Sequence, residues 1–310
     1  RQGLCPPPAA PTPVTLNTPI SAADAANLQF VPALNFNGLV NIGFTVTDSG
    51  NDATSTGGAP LTSKPGNFLI DVANVNDAPV VADQTLSTAE DTDLTIALTA
   101  TDADIGTNGD FIAKFTISSL PPASQGVLYF DDGGVLKPVL LNDPITAAQA
   151  AALVFKPAPN YHGPVAPIQY TATDSNGEIS APATLNLSIT AVNDTPVVAP
   201  DAQEVFEENL ASGNLLANDS DVDSAVDGDV LSVTKFNVNI AGTPTEVTVP
   251  PGGSSAPTLI KDAGGKDVGT LVVSSDGNYS FTPVQDYTGA VPTITYTVDD
   301  GTGAANAATT

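Results

Sequence analysis

Two stretches of this chain place an amide and a carboxylate side by side just ahead of a proline: Val75-Asn76-Asp77-Ala78-Pro79-Val80-Val81 and Val192-Asn193-Asp194-Thr195-Pro196-Val197-Val198. Each follows a segment that ends aromatic-x-x-x-Asp, Phe44 to Asp48 and Tyr170 to Asp174, and each precedes an Asp-x-Asp loop. The shared chemistry is oxygen. A hard divalent cation such as Ca²⁺ takes roughly six to eight oxygens at about 2.3–2.6 Å from carboxylates, amides and backbone carbonyls. No single short segment here supplies that many, so several segments must converge. A junction that carries oxygen ligands and recurs along the chain describes beads on a string with ions at the joints.

Other chemistries find little support. His162, the lone histidine, aligns with Asn37 and Thr288 in a turn, which reads as a surface turn position rather than a catalytic one. Cys5 lies in Leu4-Cys5-Pro6-Pro7-Pro8 with no second cysteine, so it reads as a plain thiol in a proline-stiffened loop and forms no internal disulfide. Acidic pairs are plentiful, but they recur at the joints instead of gathering in one cleft as a glycosidase needs, and there is no Trp and only 6 Tyr to stack sugar rings. No Gly-rich phosphate loop and no Gly-Gly-x-Gly-x-Asp nonapeptide occurs. The Asn-x-Ser/Thr matches at Asn186, Asn193, Asn218 and Asn278 read as chance, since a glycan at two of them would obstruct the joints. The expectation is that the chain is not an enzyme.

Composition points outside the cell. The formal charge is −26, from 34 acidic against 8 basic residues, which disfavours nucleic acid and anionic membranes and favours cations. No apolar run approaches the roughly 20 residues that span a bilayer. With no methionine, the sequence reads as a piece of something longer.

The elements that must position these groups are strands. Leu94-Ile96-Leu98, Leu185-Leu187-Ile189, Phe68-Ile70-Val72 and Ile294-Tyr296-Val298 alternate with polar residues, the period-two pattern of strands with one buried face. Turns such as Asp132-Gly133-Gly134 and Asp276-Gly277 separate them. The pattern argues for an all-β chain of antiparallel β-sandwiches. Helix is confined to Ser21–Asn27 and Thr146–Ala152, each opened by an N-capping hydroxyl. Pro19-Ile20-Ser21-Ala22-Ala23 realigns with Pro144-Ile145-Thr146-Ala147-Ala148, and Phe30-Val31-Pro32 with Phe155-Lys156-Pro157 and Phe281-Thr282-Pro283. The repeat is about 115 to 125 residues long, domain-sized rather than a solenoid turn. The expected organisation is a partial domain at 1–77, a complete one at 78–194, and one at 195–310 that lacks its last strand. In the third, Pro250-Pro251-Gly252-Gly253 is expected to begin an inserted loop.

The run Ala100-Thr101-Asp102-Ala103-Asp104-Ile105-Gly106-Thr107-Asn108-Gly109 resembles the signature of cadherin repeats, and Val75 to Pro79 is similar to the cadherin linker, one position shorter. The stretch from Leu215 to Asp223, with Glu207-Glu208-Asn209 before it, resembles the bacterial cadherin-like or tandem-95 repeats of large RTX-like surface adhesins. The resemblance implies tandem cadherin-like, Ig-like domains joined by calcium-binding linkers. It implies that Asn76, Asp77, Asp102, Asp104 and Asp174 meet around Ca²⁺, with Asn108 offering a backbone oxygen. At the next joint the implied set is Asn193, Asp194, Asp219, Asp221, Asp223 and Asp300, with Glu90 reaching it from the base of the second domain. Asp110, Asp227 and Asp229 stay undecided, and Glu207 and Glu208 face a partner beyond this stretch. The expected function is a calcium-stiffened extender of a bacterial cell-surface adhesin, outside the cell, with calcium ions and neighbouring repeats as partners. Alternatives are a matrix or filament subunit that self-associates, and a carbohydrate-binding accessory module.

Overall fold

Ala183–Thr190 buries Ala183, Leu185, Leu187 and Ile189 and exposes Asn186, Ser188 and Thr190, so strict alternation in the sequence becomes one covered face. The computed structural model describes residues 12–50, 58–106, 109–223, 230–240, 243–302 and 308–309. Cys5, Asn108, Asp227 and Asp229 lie outside them. The chain is all-β, its helices limited to single turns. Ala22–Ala25 is capped by the Ser21 hydroxyl, and Ala147–Ala150 opens on a reciprocal capping box between Thr146 and Gln149. Among the described residues, no helix is long and apolar enough to cross a membrane.

Gly38–Phe44 and Gly66–Val72 form an antiparallel pair. A six-stranded sheet follows in the order Pro144–Thr146, Ile112–Ile117, Ile168–Asp174, Ala183–Thr190 and Gly163–Pro164, with Gln84–Ala89 also on Ala183–Thr190. That last pairing is parallel, Gln84 beside Leu185 through Ala89 beside Thr190, whereas the alternation had suggested antiparallel sheets throughout. Leu94–Ile96, Leu153–Pro157, Gly126–Asp131 and Leu136–Pro138 make a four-stranded sheet, and Ile96, Phe115, Ile117, Leu128, Leu153, Phe155, Ile168 and Tyr170 are buried.

Downstream, Ala211–Asn214, Asn278–Pro283, Asp267–Val273 and Thr258–Lys261 form one sheet. Thr243–Thr248, Ser232–Ile240, Thr295–Asp299 and Ala308–Thr309 form another. Val233, Phe236 and Val238 from one sheet and Ile260, Val268, Val273 and Phe281 from the other share a core. Burying each such side chain contributes about 1.5–3 kcal/mol, which makes this core the main stabilising term of the segment. The loop expected after Pro250 is a tight turn, Gly253 N–H to Pro250 O at 3.0 Å, followed by the strand Thr258–Lys261. Thr258-Leu259-Ile260, with β-branched Thr258 and Ile260, finds a partner in Asp267–Val273.

The chain divides into two units: the described residues of Arg1–Val81, Ala100–Lys114 and Ala172–Ala181, and those of Ala82–Thr99, Phe115–Thr171 and Pro182–Thr310. The first connector and its acidic loops fall wholly in the former, the second connector and its acids wholly in the latter.

At Gly269 the backbone and an aromatic ring approach closely. A Cβ there would fall on the Phe281 ring and the Thr282 carbonyl. Gly269→Ala is expected to lower unfolding stability by about 1–3 kcal/mol, read as a shifted urea midpoint at unchanged slope.

Candidate metal centre

Proline drives the residue before it into extended backbone, and Pro79 and Pro196 are themselves buried, so both connectors leave their prolines as straight segments. Val80 and Val81 then pair with Thr101 and Ala100, and Val197 bridges Ser220, which brings each Asp-x-Asp loop beside its connector. A buried tyrosine ties the chain just beyond. The Tyr170 hydroxyl donates to Ala82 O at 2.6 Å, and the Tyr296 hydroxyl faces Asp201 Oδ2 at 2.8 Å, Leu215 O at 3.0 Å and Ala199 O at 3.4 Å. Burial first, then the neighbouring acids, pushes the Tyr296 hydroxyl far above its ordinary range.

The same bonds recur at both connectors. Asp77 N–H donates to Asp104 Oδ2 at 2.6 Å, and Asp194 N–H to Asp223 Oδ2 at 2.7 Å. Asn76 Nδ2 donates to Asp174 Oδ2 at 2.7 Å, and Asn193 Nδ2 to Asp300 Oδ2 at 2.8 Å. Asp104 N–H reaches Asp102 Oδ1 and Asp223 N–H reaches Asp221 Oδ1, each at 2.8 Å, the self-bonded turn that Asp favours. Asp174 Oδ1 accepts from the N–H groups of Asn176, Gly177 and Glu178; Asp300 Oδ1 accepts from the N–H and hydroxyl of Thr302.

One oxygen of Asp102, Asp174, Asp221 and Asp300 therefore shapes its own loop, and other oxygens are left over. Asp102 Oδ2 and Asp110 Oδ2 are buried with no hydrogen-bond partner at the first connector, as are Glu90 Oε2, Asn193 Oδ1 and Asp194 Oδ2 at the second. Asp102, Asp110 and Asp174 each present an oxygen within 4.8 Å of the others, close enough to share one ion. Burial, then the charges of Asp110, Asp104 and Asp174, raises the Asp102 carboxyl, against a bond from Asp104 N–H that lowers it. Burial, then Asp223, Asp91, Glu90 and Asp221, raises that of Asp194. In Asp174 and Asp300 burial also pushes upward, but hydrogen bonds from Asn76 and Asn193 and from the loops outweigh it, and both carboxyls are lowered. Buried, unpartnered, mutually repelling oxygens are the donor set that a hard cation fits.

The structure brings Asn76, Asp77, Asp102, Asp104 and Asp174 together, and likewise Asn193, Asp194, Asp221, Asp223 and Asp300. Glu90 is buried and its Oε1 accepts from Val192 N–H at 2.6 Å, one residue before Asn193. Asp219 is set apart. Because Val197 bridges Ser220, Asp219 occupies the position of Ala100, and its oxygens accept from Ala199 N–H at 2.8 Å and face the Tyr296 hydroxyl at 3.2 Å. The Asp-x-Asp of the second connector is thus Asp221 and Asp223. Asp110 stays undecided on sequence alone, and the contacts of Asn176 and His162 were missed. Asp110, whose Oδ1 accepts from the Ser175 hydroxyl, joins the first cluster, and its place just after Asn108-Gly109 was the available signal. Asn176 braces Asn76, Nδ2 to Oδ1 at 2.7 Å. His162 is no ordinary surface turn residue: its Nδ1 is buried and faces Glu90 Oε2 at 3.7 Å.

Residues 193–310 match the family model of the bacterial cadherin-like domain, and residues 76–188 that of the bacterial Ig domain. The two stretches are thus similar to a bacterial cadherin-like domain and to a bacterial Ig domain. Each matched repeat opens on a connector asparagine, Asn193 or Asn76. Domains of both kinds are typically non-catalytic structural or adhesion modules. Among solved structures, the extracellular cadherin domains 1–4 of protocadherin gamma B7 are 13% identical, over 91% of this chain and 58% of that one, with a TM-score of 0.38. The human desmocollin-1 ectodomain is 11% identical over 87% and 43%, with a TM-score of 0.33. The SrpA adhesin of Streptococcus sanguinis is 13% identical over 68% and 95%, with a TM-score of 0.26. The chain thus spans about half the length of the two cadherin ectodomains. None of the curated proteins compared matches it.

The opposed shifts give opposed pH behaviour. A raised carboxyl, as at Asp194, contributes stability below the ordinary carboxylate range that is lost as pH rises through its folded value. A lowered one, as at Asp300, contributes stability above that range that is lost as pH falls. In chelator at pH 7, Asp194→Asn is expected to be more stable than wild type by about 1 kcal/mol and to melt at a higher temperature, and Asp300→Asn to melt at a lower one. The Asp194 difference shrinks as the pH is lowered toward about 4, whereas the Asp300 difference shrinks only below about 4, as thermal melts would read.

Proposed function

We propose that these repeats are extender segments of a bacterial surface adhesin, stiffened at their connectors by calcium and holding an adhesive tip away from the cell. The carrying observation is the same hydrogen-bond pattern at two connectors, each with buried carboxylate oxygens left unpartnered. The domains in this reading are 1–77, 78–194 and 195–310.

At the first connector Asp102, Asp104, Asp110 and Asp174 would hold the ion with Asn76 and Asp77; at the second, Glu90, Asn193, Asp194, Asp221, Asp223 and Asp300 would do so. The bound ion supplies the positive charge that lets these oxygens remain close. Without it, each close carboxylate pair is repelled by about 1 kcal/mol even in water, and the connector is free to splay. With it, Asn76 and Asn193 keep their carboxamides on the strand-end aspartates, and each connector is fastened to the loops beside it. A ligand that binds the folded form at a hundred times its dissociation constant stabilises it by about 2.7 kcal/mol. The excess of acidic over basic residues fits an extended chain that avoids nucleic acid and recruits cations.

Small-angle scattering with calcium and with chelator tests the reading. Calcium is expected to raise the melting temperature and lengthen the particle. Asp102→Ala with Asp104→Ala is expected to remove part of the lengthening, and Asp221→Ala with Asp223→Ala the remainder. Identical dimensions in the two buffers would overturn it.

A further inference from the structure

A histidine faces Glu90 beside the second connector. His162, in the turn before Gly163–Pro164, has a side chain 26% exposed, and that of Glu90 opposite is 1% exposed. His162 Nδ1 and Glu90 Oε2 face each other at 3.7 Å, both atoms buried and neither with a hydrogen-bond partner. Val192 N–H holds the other Glu90 oxygen at 2.6 Å, which fixes the direction of the free one. At 3.7 Å the two atoms are too far apart for a direct hydrogen bond, and leaving both unsatisfied is unfavourable.

A cation bonded to both atoms removes that penalty. Zinc bonds of about 2.1 Å to nitrogen and oxygen at a tetrahedral angle span about 3.4 Å, close to the observed gap. Calcium selects oxygen, whereas imidazole suits zinc, nickel, copper and iron. The counterparts of His162 do not repeat the arrangement. Asn37 donates instead to Asn74 Oδ1 at 2.9 Å, and position 288 is a threonine.

We propose that His162 Nδ1 and Glu90 Oε2 are the protein ligands of a site for a first-row transition dication of the zinc type, completed by water, beside the second connector. The site takes the neutral imidazole with its proton on Nε2. It rests on the calcium reading only in sharing Glu90, so that zinc bound here would draw one ligand from calcium at that connector and none from the first.

Because the chain has one histidine, its imidazole signals are assigned without ambiguity. Untagged, ¹⁵N-labelled full chain in calcium-free buffer is titrated with zinc chloride and followed by long-range ¹H–¹⁵N correlation. The expected result is a His162 Nδ1 shift that saturates at one equivalent. Glu90→Gln should weaken it about tenfold, and Asp93→Asn, an exposed acid paired with Lys156, should leave it unchanged. Unmoved imidazole signals, or the same titration in Glu90→Gln, would overturn the site. A calcium titration of the same sample, followed at the Asp104 and Asp194 amides, tests the connectors separately. Failure there alongside a saturating His162 shift leaves this inference standing, and the reverse removes this inference alone.

Discussion

A carboxylate has two oxygens, and at these connectors the two are used differently. Asp102, Asp174, Asp221 and Asp300 each give one oxygen to backbone N–H groups of their own loop, which fixes the loop. The second oxygens of Asp174 and Asp300 take the carboxamide of the connector asparagine, and Asp102 Oδ2 takes nothing. Loop rigidity thus holds like charges close, and repulsion that flexible side chains would relieve by turning away is retained. Burial first, and then that retained repulsion, raises the carboxyls of Asp102 and Asp194.

The strands that lead to these acids also carry core residues. Tyr170 and Tyr296 are core residues of the strands that end in Asp174 and Asp300, and their hydroxyls reach the chain just past the connectors. A single strand therefore carries a core ring, a tether to the connector and an acid at its end. The spacing of four residues from tyrosine to aspartate is the sequence trace of this arrangement.

Alternation made the strands legible, since Leu185, Leu187 and Ile189 could face only one way. The capped helical turns at Ser21 and Thr146 were legible for the same local reason. Features set by distant pairing were not. Asp219-Ser220-Asp221-Val222-Asp223 offers two overlapping Asp-x-Asp frames, and the choice is made by the bridge from Val197 to Ser220 and by Tyr296. Asp110 meets Ser175 and His162 meets Glu90 across most of a repeat, and the parallel pairing of Gln84–Ala89 leaves no local pattern of its own. Repetition itself was the strongest signal, because it showed which acids keep company with a connector.

The central claim is that these acids converge because a shared cation belongs among them. Difference density at both connectors, in a crystal of the full chain grown with calcium, tests it most directly. The account predicts at each an ion with about six to eight oxygens at about 2.3–2.6 Å, Asp102, Asp110 and Asp174 among its ligands at the first and Asp221 and Asp223 at the second. Water alone at both positions, with the carboxylates turned apart, would contradict it.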